Sequence, residues 1–247
     1  VLKWWDQPWW AERVLGAASL IEDIRREGYP TPAWWAVGVT LDDHPYEVQE
    51  LVPGVAPEGL DLAVAELIVE LVRMQRQIRL VTTVNWWEYV VRTVFDDPDG
   101  RKGRLAGLGQ EMAGAIHALE LLVAGDRGLN LSDQEMVHGD MNVSNLLRVD
   151  GRISGVVDIE AIGRGSAAFD LLTPARQGRL WDGDEDAVLL LEQTALELYG
   201  PSAVRVVAAC SIIDILTFGA NHYPKNDLKQ IAIKATGWVD HLQSLTG

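Results

Sequence analysis

His138-Gly139-Asp140-Met141-Asn142-Val143-Ser144-Asn145-Leu146-Leu147 is the stretch of this chain densest in chemistry. Asp140 and Asn145 stand on polar, turn-prone sequence that leads into an apolar run. Leu146–Val149 and Arg152–Val157 read as strands, and Asp150-Gly151 between them is a strong two-residue hairpin signal. A tight hairpin returns the chain to its starting point. Asn145, just before the first strand, and Asp158, just after the second, are therefore expected side by side, with Asp140 one loop away. Three oxygen-bearing side chains converging at one end of a hairpin suit Mg²⁺, which prefers one or two carboxylates plus phosphate oxygens.

Outward from the hairpin, the chain divides in character near Pro53-Gly54. Before it, Val1–Trp5 reads as a short strand. Trp10–Glu27 has apolar residues at helical spacing (Val14, Ala17, Ala18, Ile21, Ile24), stopped by Gly28, Pro30 and Pro32. Trp34–Thr40 and Tyr46–Val52 read as strands around the polar turn Asp42-Asp43-His44-Pro45. After it, helices are expected over Leu60–Arg79, Asn85–Val94 and Leu105–Leu122. Beyond Phe169 they are expected again over Asp184–Leu198, Ser202–Gly219 and Lys229–Leu245. No internal repeat or low-complexity stretch interrupts this order. The tryptophan pairs Trp4-Trp5, Trp9-Trp10, Trp34-Trp35 and Trp86-Trp87 are unusual; neighbours in a strand face opposite ways, so each strand pair can bury only one ring.

The chain has 247 residues, 48% of them apolar, which fits one large domain or two coupled lobes and excludes disorder. Lys and Arg number 21 against 36 Asp and Glu, a net charge of −15. That balance argues against general nucleic-acid binding, which needs phosphates neutralised by basic side chains. It is compatible with a cationic ligand and equally with simple solubility. A single cysteine, Cys210, excludes an intrachain disulfide framework and a multi-cysteine zinc site, and its apolar surroundings predict a buried thiol. No uninterrupted apolar run reaches the ~18 residues of a membrane span, and Val1-Leu2-Lys3-Trp4-Trp5-Asp6 is not a signal peptide. A cytoplasmic protein without a membrane partner is expected.

His138, Gly139, Asp140 and Asn145 match the H-G-D-x-x-x-x-N catalytic loop of the aminoglycoside phosphotransferase and choline kinase family, and Val156-Val157-Asp158 matches its metal-binding segment. Gly165-Ser166-Ala167-Ala168-Phe169-Asp170-Leu171 resembles the family's G-D-P-A-Y-D-L stretch, with departures at Ser166 and Ala167. In protein kinases the loop opens H-R-D and the metal-binding Asp precedes Phe-Gly. Here Ile159 and Glu160 follow Asp158, which favours the small-molecule branch. The resemblance implies an α+β, bilobal protein-kinase-like fold. Residues 1–53 would form a small nucleotide-binding sheet lobe and hinge, incomplete at its start. Residues 54–247 would form a larger helical lobe carrying the catalytic loop and the acceptor site.

The resemblance also implies roles. Asp140 orients the acceptor hydroxyl. Asn145 and Asp158 hold Mg²⁺ on the triphosphate of ATP or GTP, and Lys3 pairs with α/β-phosphate oxygens. Glu50, Leu51 and Val52 form the hinge, whose Glu50 carbonyl and Val52 amide meet the purine edge; Leu147 and Val157 complete the nucleotide pocket. His138 and Asp170 support the loop. The family's helix glutamate would fall near Ala17, so Glu12 or Glu22 is left as the partner of Lys3. A glycine-rich strand–loop–strand is expected before Val1. The implied activity is transfer of a γ-phosphate to a hydroxyl of a small molecule, an aminoglycoside-like antibiotic first. Alternatives are a metabolic kinase for an amino alcohol or sugar, or a catalytically silent nucleotide- or ligand-binding member of the fold. Asp182, Asp184, Glu185 and Asp186, and separately Asp96, Asp97 and Asp99, could steer a cationic acceptor or simply be solvated loop and helix-start charges.

Overall fold

The structure, a computed structural model, describes residues 1–131 and 134–247. Three short strands, β1 (Leu2–Trp4), β2 (Trp34–Val39) and β3 (Pro45–Gln49), form an antiparallel sheet in the order β1-β3-β2. The register places Lys3 opposite Glu47. Helix α1 (Trp10–Arg26) packs against β2 and β3 and buries Val14, Ala17, Leu20, Ile21 and Ile24, the stripe its spacing predicts. It stops at Gly28, whose φ of +88° suits a residue without Cβ. Trp34 and Trp35, neighbours on β2, split as the strand geometry requires, half-buried and exposed; Trp4 and Trp9 are exposed and Trp5 and Trp10 half-buried, while Trp86 and Trp87, which open helix α3, are both half-buried.

The chain then crosses to a helical part. A bridge between Val55 and Arg148, with Val55 N–H to Arg148 O at 3.1 Å and Arg148 N–H to Val55 O at 3.0 Å, ties the crossing segment to the later hairpin. Helix α2 (Leu62–Gln75) starts at Asp61, whose carboxylate accepts from the Val64 amide. The expected helix over Asn85–Val94 is α3 (Trp86–Val91) running into a π-helical turn, Arg92–Asp96. The expected single helix over Leu105–Leu122 is divided. α4 (Arg101–Ala106) ends at Gly107 and α5 (Gln110–Leu122) begins after Gly109, whose φ of +153° breaks the helical path.

Strand β4 (Glu135–Val137) pairs with β7 (Gly163–Gly165) and brackets the hairpin of β5 (Leu146–Val149) and β6 (Arg152–Val156). Asp150 and Gly151 both have positive φ, 50° and 75°, as a tight two-residue turn of this kind demands. Helices α6 (Ala168–Leu180), α7 (Glu185–Tyr199), α8 (Pro201–His222) and α9 (Lys225–Thr246) pack together with α5 into the main core. Helix α8 is long and apolar enough to cross a membrane by length and composition, but most of it is buried among its neighbours, Cys210 included.

Candidate active site

The loop between β4 and β5 is shaped from beneath by Asp170, the third residue of α6. Fully buried, it accepts from the backbone N–H of His138 at 2.6 Å, from that of Gly139 at 3.0 Å, and from Gln75 Nε2 at 2.9 Å. Burial pushes its pKa up to about 7, against the pull of those donors. Gly139 has φ +86°, and a Cβ there would strike the Trp86 ring and stand 3.0 Å from Ala161 O. Only glycine lets the chain turn so closely at this point.

His138 is buried beside it. Its Nδ1 accepts from the Asp140 amide at 3.2 Å, so Nε2 carries the proton and donates to Val157 O at 3.0 Å. Burial lowers its pKa to about 4, which keeps the ring neutral. The imidazole thus clamps the Asp140 loop to the end of β6, immediately before Asp158.

Asp140 faces the cleft. Asn142 Nδ2 donates to its Oδ1, and Asn145 Nδ2 donates to its Oδ2 at 3.3 Å and to its backbone O at 2.8 Å. Crowding by surrounding protein raises its pKa, while the Asn145 hydrogen bond and the charge of Arg176 lower it. With Asn145 Nδ2 committed to Asp140, its Oδ1 keeps a single 3.5 Å contact from Ser144 Oγ. Val157 N–H donates to Asn145 O at 2.9 Å, so the hairpin does bring Asn145 to the start of Asp158. Asp158 sits at φ +59°, in the left-handed region.

Lys3 reaches across from β1. Its Nζ is 2.8 Å from Asp158 Oδ1, in short contact with Glu160 Oε1, and 3.5 Å from Glu47 Oε1. Burial disfavours its charge, but Glu160, Asp158 and Glu47 outweigh that and hold its pKa above the ordinary lysine value. The partner expected on α1 is absent from this cluster: Glu12 and Glu22 are exposed on the helix. Glu47, cross-strand from Lys3, and Glu160, just past Asp158, take that place. Glu47 is fully buried with neither oxygen hydrogen-bonded, and burial together with Glu160 raises its pKa to about 7.

At the crossing segment the backbone N–H of Glu50 goes to Ala33 O at 2.8 Å, and its carboxylate holds the Ala33 amide at 3.1 Å. Among the described residues, the Glu50 carbonyl and the Val52 amide make no backbone hydrogen bond. Leu51 is exposed. A Cβ on Gly155 would lie 2.8 Å from Val52 Cγ1 and 3.6 Å from Leu147 Cδ1, so hinge and hairpin side chains meet over that glycine. Val157 is half-buried next to Asp158.

Residues 1–207 match the family model described as the phosphotransferase enzyme family. The chain belongs to that family. This phosphotransferase, an enzyme with an alcohol group as acceptor, also has the family's fold. The apo form of a thermostable mutant of aminoglycoside phosphotransferase APH(4)-Ia superposes with a TM-score of 0.68 at 17% identity, covering 100% of this chain and 87% of that one. A variant of the same enzyme in ternary complex with ADP and hygromycin B gives 0.63 at 16% identity, over 94% and 84% of the two chains. The GDP and kanamycin complex of APH(2")-IIIa gives 0.65 at 11% identity, over 100% and 87%. No protein of curated function matches the chain in sequence.

The donor set of this phosphotransferase fits a hard divalent cation. Asn145 offers an amide oxygen and Asp158, its side chain 47% exposed, a second carboxylate oxygen beyond the one bonded to Lys3. Among the described residues, no group of three or more His, Cys, Asp or Glu is placed to hold a metal unaided. Mg²⁺ here would need nucleotide oxygens to complete its shell. Within the acidic clusters noted in the sequence, Asp184 caps α7, Asp97 accepts from the Arg101 and Lys102 amides, and Asp96, Asp182 and Glu185 pair with Arg127, Lys234 and Arg179.

Proposed function

We propose that the protein transfers the γ-phosphoryl group of ATP or GTP to a hydroxyl of a small molecule, with Asp140 as the residue that receives and orients that hydroxyl. The observation that carries the reading is the convergence of Asp140, Asn145, Asp158 and Lys3 on one cleft. Residues 1–53 act as the nucleotide lobe and hinge, residues 54–247 as the catalytic and acceptor lobe. The Glu50 carbonyl and Val52 amide meet the purine edge, with Leu51 between them, and Leu147 and Val157 lie under the base. Lys3 gives up part of its carboxylate contacts to α/β-phosphate oxygens. Asn145 and Asp158 hold Mg²⁺, which supplies charge neutralisation on the triphosphate. His138 and Asp170 keep the Asp140 loop in place.

The nucleotide and aminoglycoside complexes of the structural neighbours support a nucleotide donor and an aminoglycoside-like acceptor. A metabolic alcohol is the second reading, favoured by Arg176 in the cavity beside Asp140 and by the pairing of the cavity's other carboxylate, Asp214, with Arg101. A cytoplasmic setting, where nucleoside triphosphates are abundant, agrees with either.

Asp140→Asn keeps the shape and hydrogen-bonding atoms but removes the base. A general base of this kind contributes about 10²–10⁴ in rate. The variant is expected to lose at least about a hundredfold in kcat with nucleotide Kd nearly unchanged, read by single-turnover kinetics and calorimetry. Near-normal turnover removes Asp140 from the mechanism.

A further inference from the structure

A cavity of about 580 Å³ opens beside Asp140 between α6 and α8. Two carboxylates reach it, Asp140 and Asp214. The second is compensated: the Tyr89 hydroxyl donates to its Oδ1 at 2.5 Å, and Arg101 Nη1 pairs with the same oxygen at 2.9 Å. Burial pushes the Asp214 pKa up, making it a weaker anion still. Arg176 brings a guanidinium to the same cavity. Its Nη1 is fixed by Ser211 O at 3.2 Å and Ser211 Oγ at 3.1 Å, while its Nε is buried without a partner. Burial lowers the Arg176 pKa, but a guanidinium stays protonated at neutral pH. Asp140 and Asp214 are thus offset by Arg176 and Arg101. The remaining wall carries three aromatic rings, Trp181, Phe218 and Tyr223, beside Asn142, Gln177 and Ile215. Trp181 and Phe218 are 45% and 48% exposed, and Tyr223 packs edge-on to Phe218 at 5.7 Å.

We infer that the acceptor is a neutral, ring-bearing alcohol, a glycoside or cyclic polyol without amino groups, lying on Trp181 and Phe218 with one oxygen accepting from Arg176. This rests on the reading of Asp140 as the group that orients the hydroxyl. A pocket with aromatic walls and a few fixed polar groups suits such a ligand. A polycation would have to bring an ammonium group beside the Arg176 guanidinium in a poorly screened cavity.

The test measures phosphoryl transfer, with Mg-ATP and with Mg-GTP, to methyl β-D-glucopyranoside, p-nitrophenyl β-D-glucopyranoside and myo-inositol, against kanamycin and hygromycin B. The best neutral compound is expected to stimulate turnover at least about tenfold more than either aminoglycoside. Arg176→Met should narrow that ratio and Arg176→Lys, which keeps the charge, should retain it. An aminoglycoside response equal to or above the neutral one, or no response to any neutral compound, overturns the inference. Mg-nucleotide Kd without acceptor is measured alongside. Its absence defeats the phosphotransfer reading itself, whereas intact nucleotide binding with aminoglycoside preference defeats only the acceptor class.

Discussion

Lys3 is held by three carboxylates, one on β3 and two just past β6, and two of them, Glu47 and Glu160, were not legible in the sequence. The family resemblance pointed to an acid on α1, where only Glu12 or Glu22 was left to supply it. The pairing of Lys3 with Glu47 comes instead from strand register, which no local pattern displays. Asp140, Asn145 and Asp158 were legible because a short loop and a tight turn leave their placement little freedom. Glu47 has a measurable signature. Its raised pKa means the native protein holds a proton that the unfolded chain has released between about 4.5 and about 7. Stability contributed at this site therefore falls as pH rises through that window. Glu47→Gln removes the titration. The unfolding free energy of the wild type relative to this variant is expected to decline from pH 5 to pH 7 in urea titrations. A pH-independent difference between the two proteins removes the assignment.

At the level of elements, the β5–β6 hairpin and the helices with a clear apolar stripe agree with their sequence reading, and the mismatches have local causes. The Leu105–Leu122 stripe continues through Gly107-Leu108-Gly109, so periodicity alone joins what Gly109 separates. Strand β7 is three residues long with a glycine at each end, too short to show alternation. It matters because Gly163 and Gly165 let Trp86 and Val84 approach the backbone, and Trp86 in turn covers Gly139 and donates to Ala161 O at 2.9 Å. The Asp140 loop therefore depends on a contact between α3 and the β6–β7 connection. Gly139→Ala puts a Cβ into the Trp86 ring at a positive φ. It is expected to cost about 1–3 kcal/mol of stability and to lower kcat by displacing Asp140. Gly114→Ala, exposed within α5 with nothing within 4 Å of the added Cβ, is the control and should leave kcat unchanged while raising stability by about 0.5–1 kcal/mol. Equal behaviour of the two variants in chemical denaturation and turnover contradicts this account.

Across the whole molecule, two of the polar connections between the N-terminal part and the helical part involve residues of the site. One is Lys3 with Asp158 and Glu160. The other is buried: Gln75 Nε2 donates both to the Tyr29 hydroxyl at 3.2 Å, next to the end of α1, and to Asp170 at 2.9 Å, under the catalytic loop. The second should dominate resting stability. Asp158 is half-exposed, and exposed ion pairs are worth only about 0–1 kcal/mol. Removing Asp158 should therefore leave the ligand-free protein close to its normal Tm. The metal-nucleotide complex should respond differently, because a ligand that binds only the folded state stabilises it by about 2.7 kcal/mol at a hundredfold excess over Kd. Asp158→Ala is expected to abolish the Tm increase produced by Mg²⁺ with ATP or GTP while shifting the ligand-free Tm by no more than a few degrees. A full nucleotide-dependent increase in the variant takes Asp158 out of the metal site. A large drop in ligand-free Tm means instead that the Lys3–Asp158 link is a structural bond between sheet and helices.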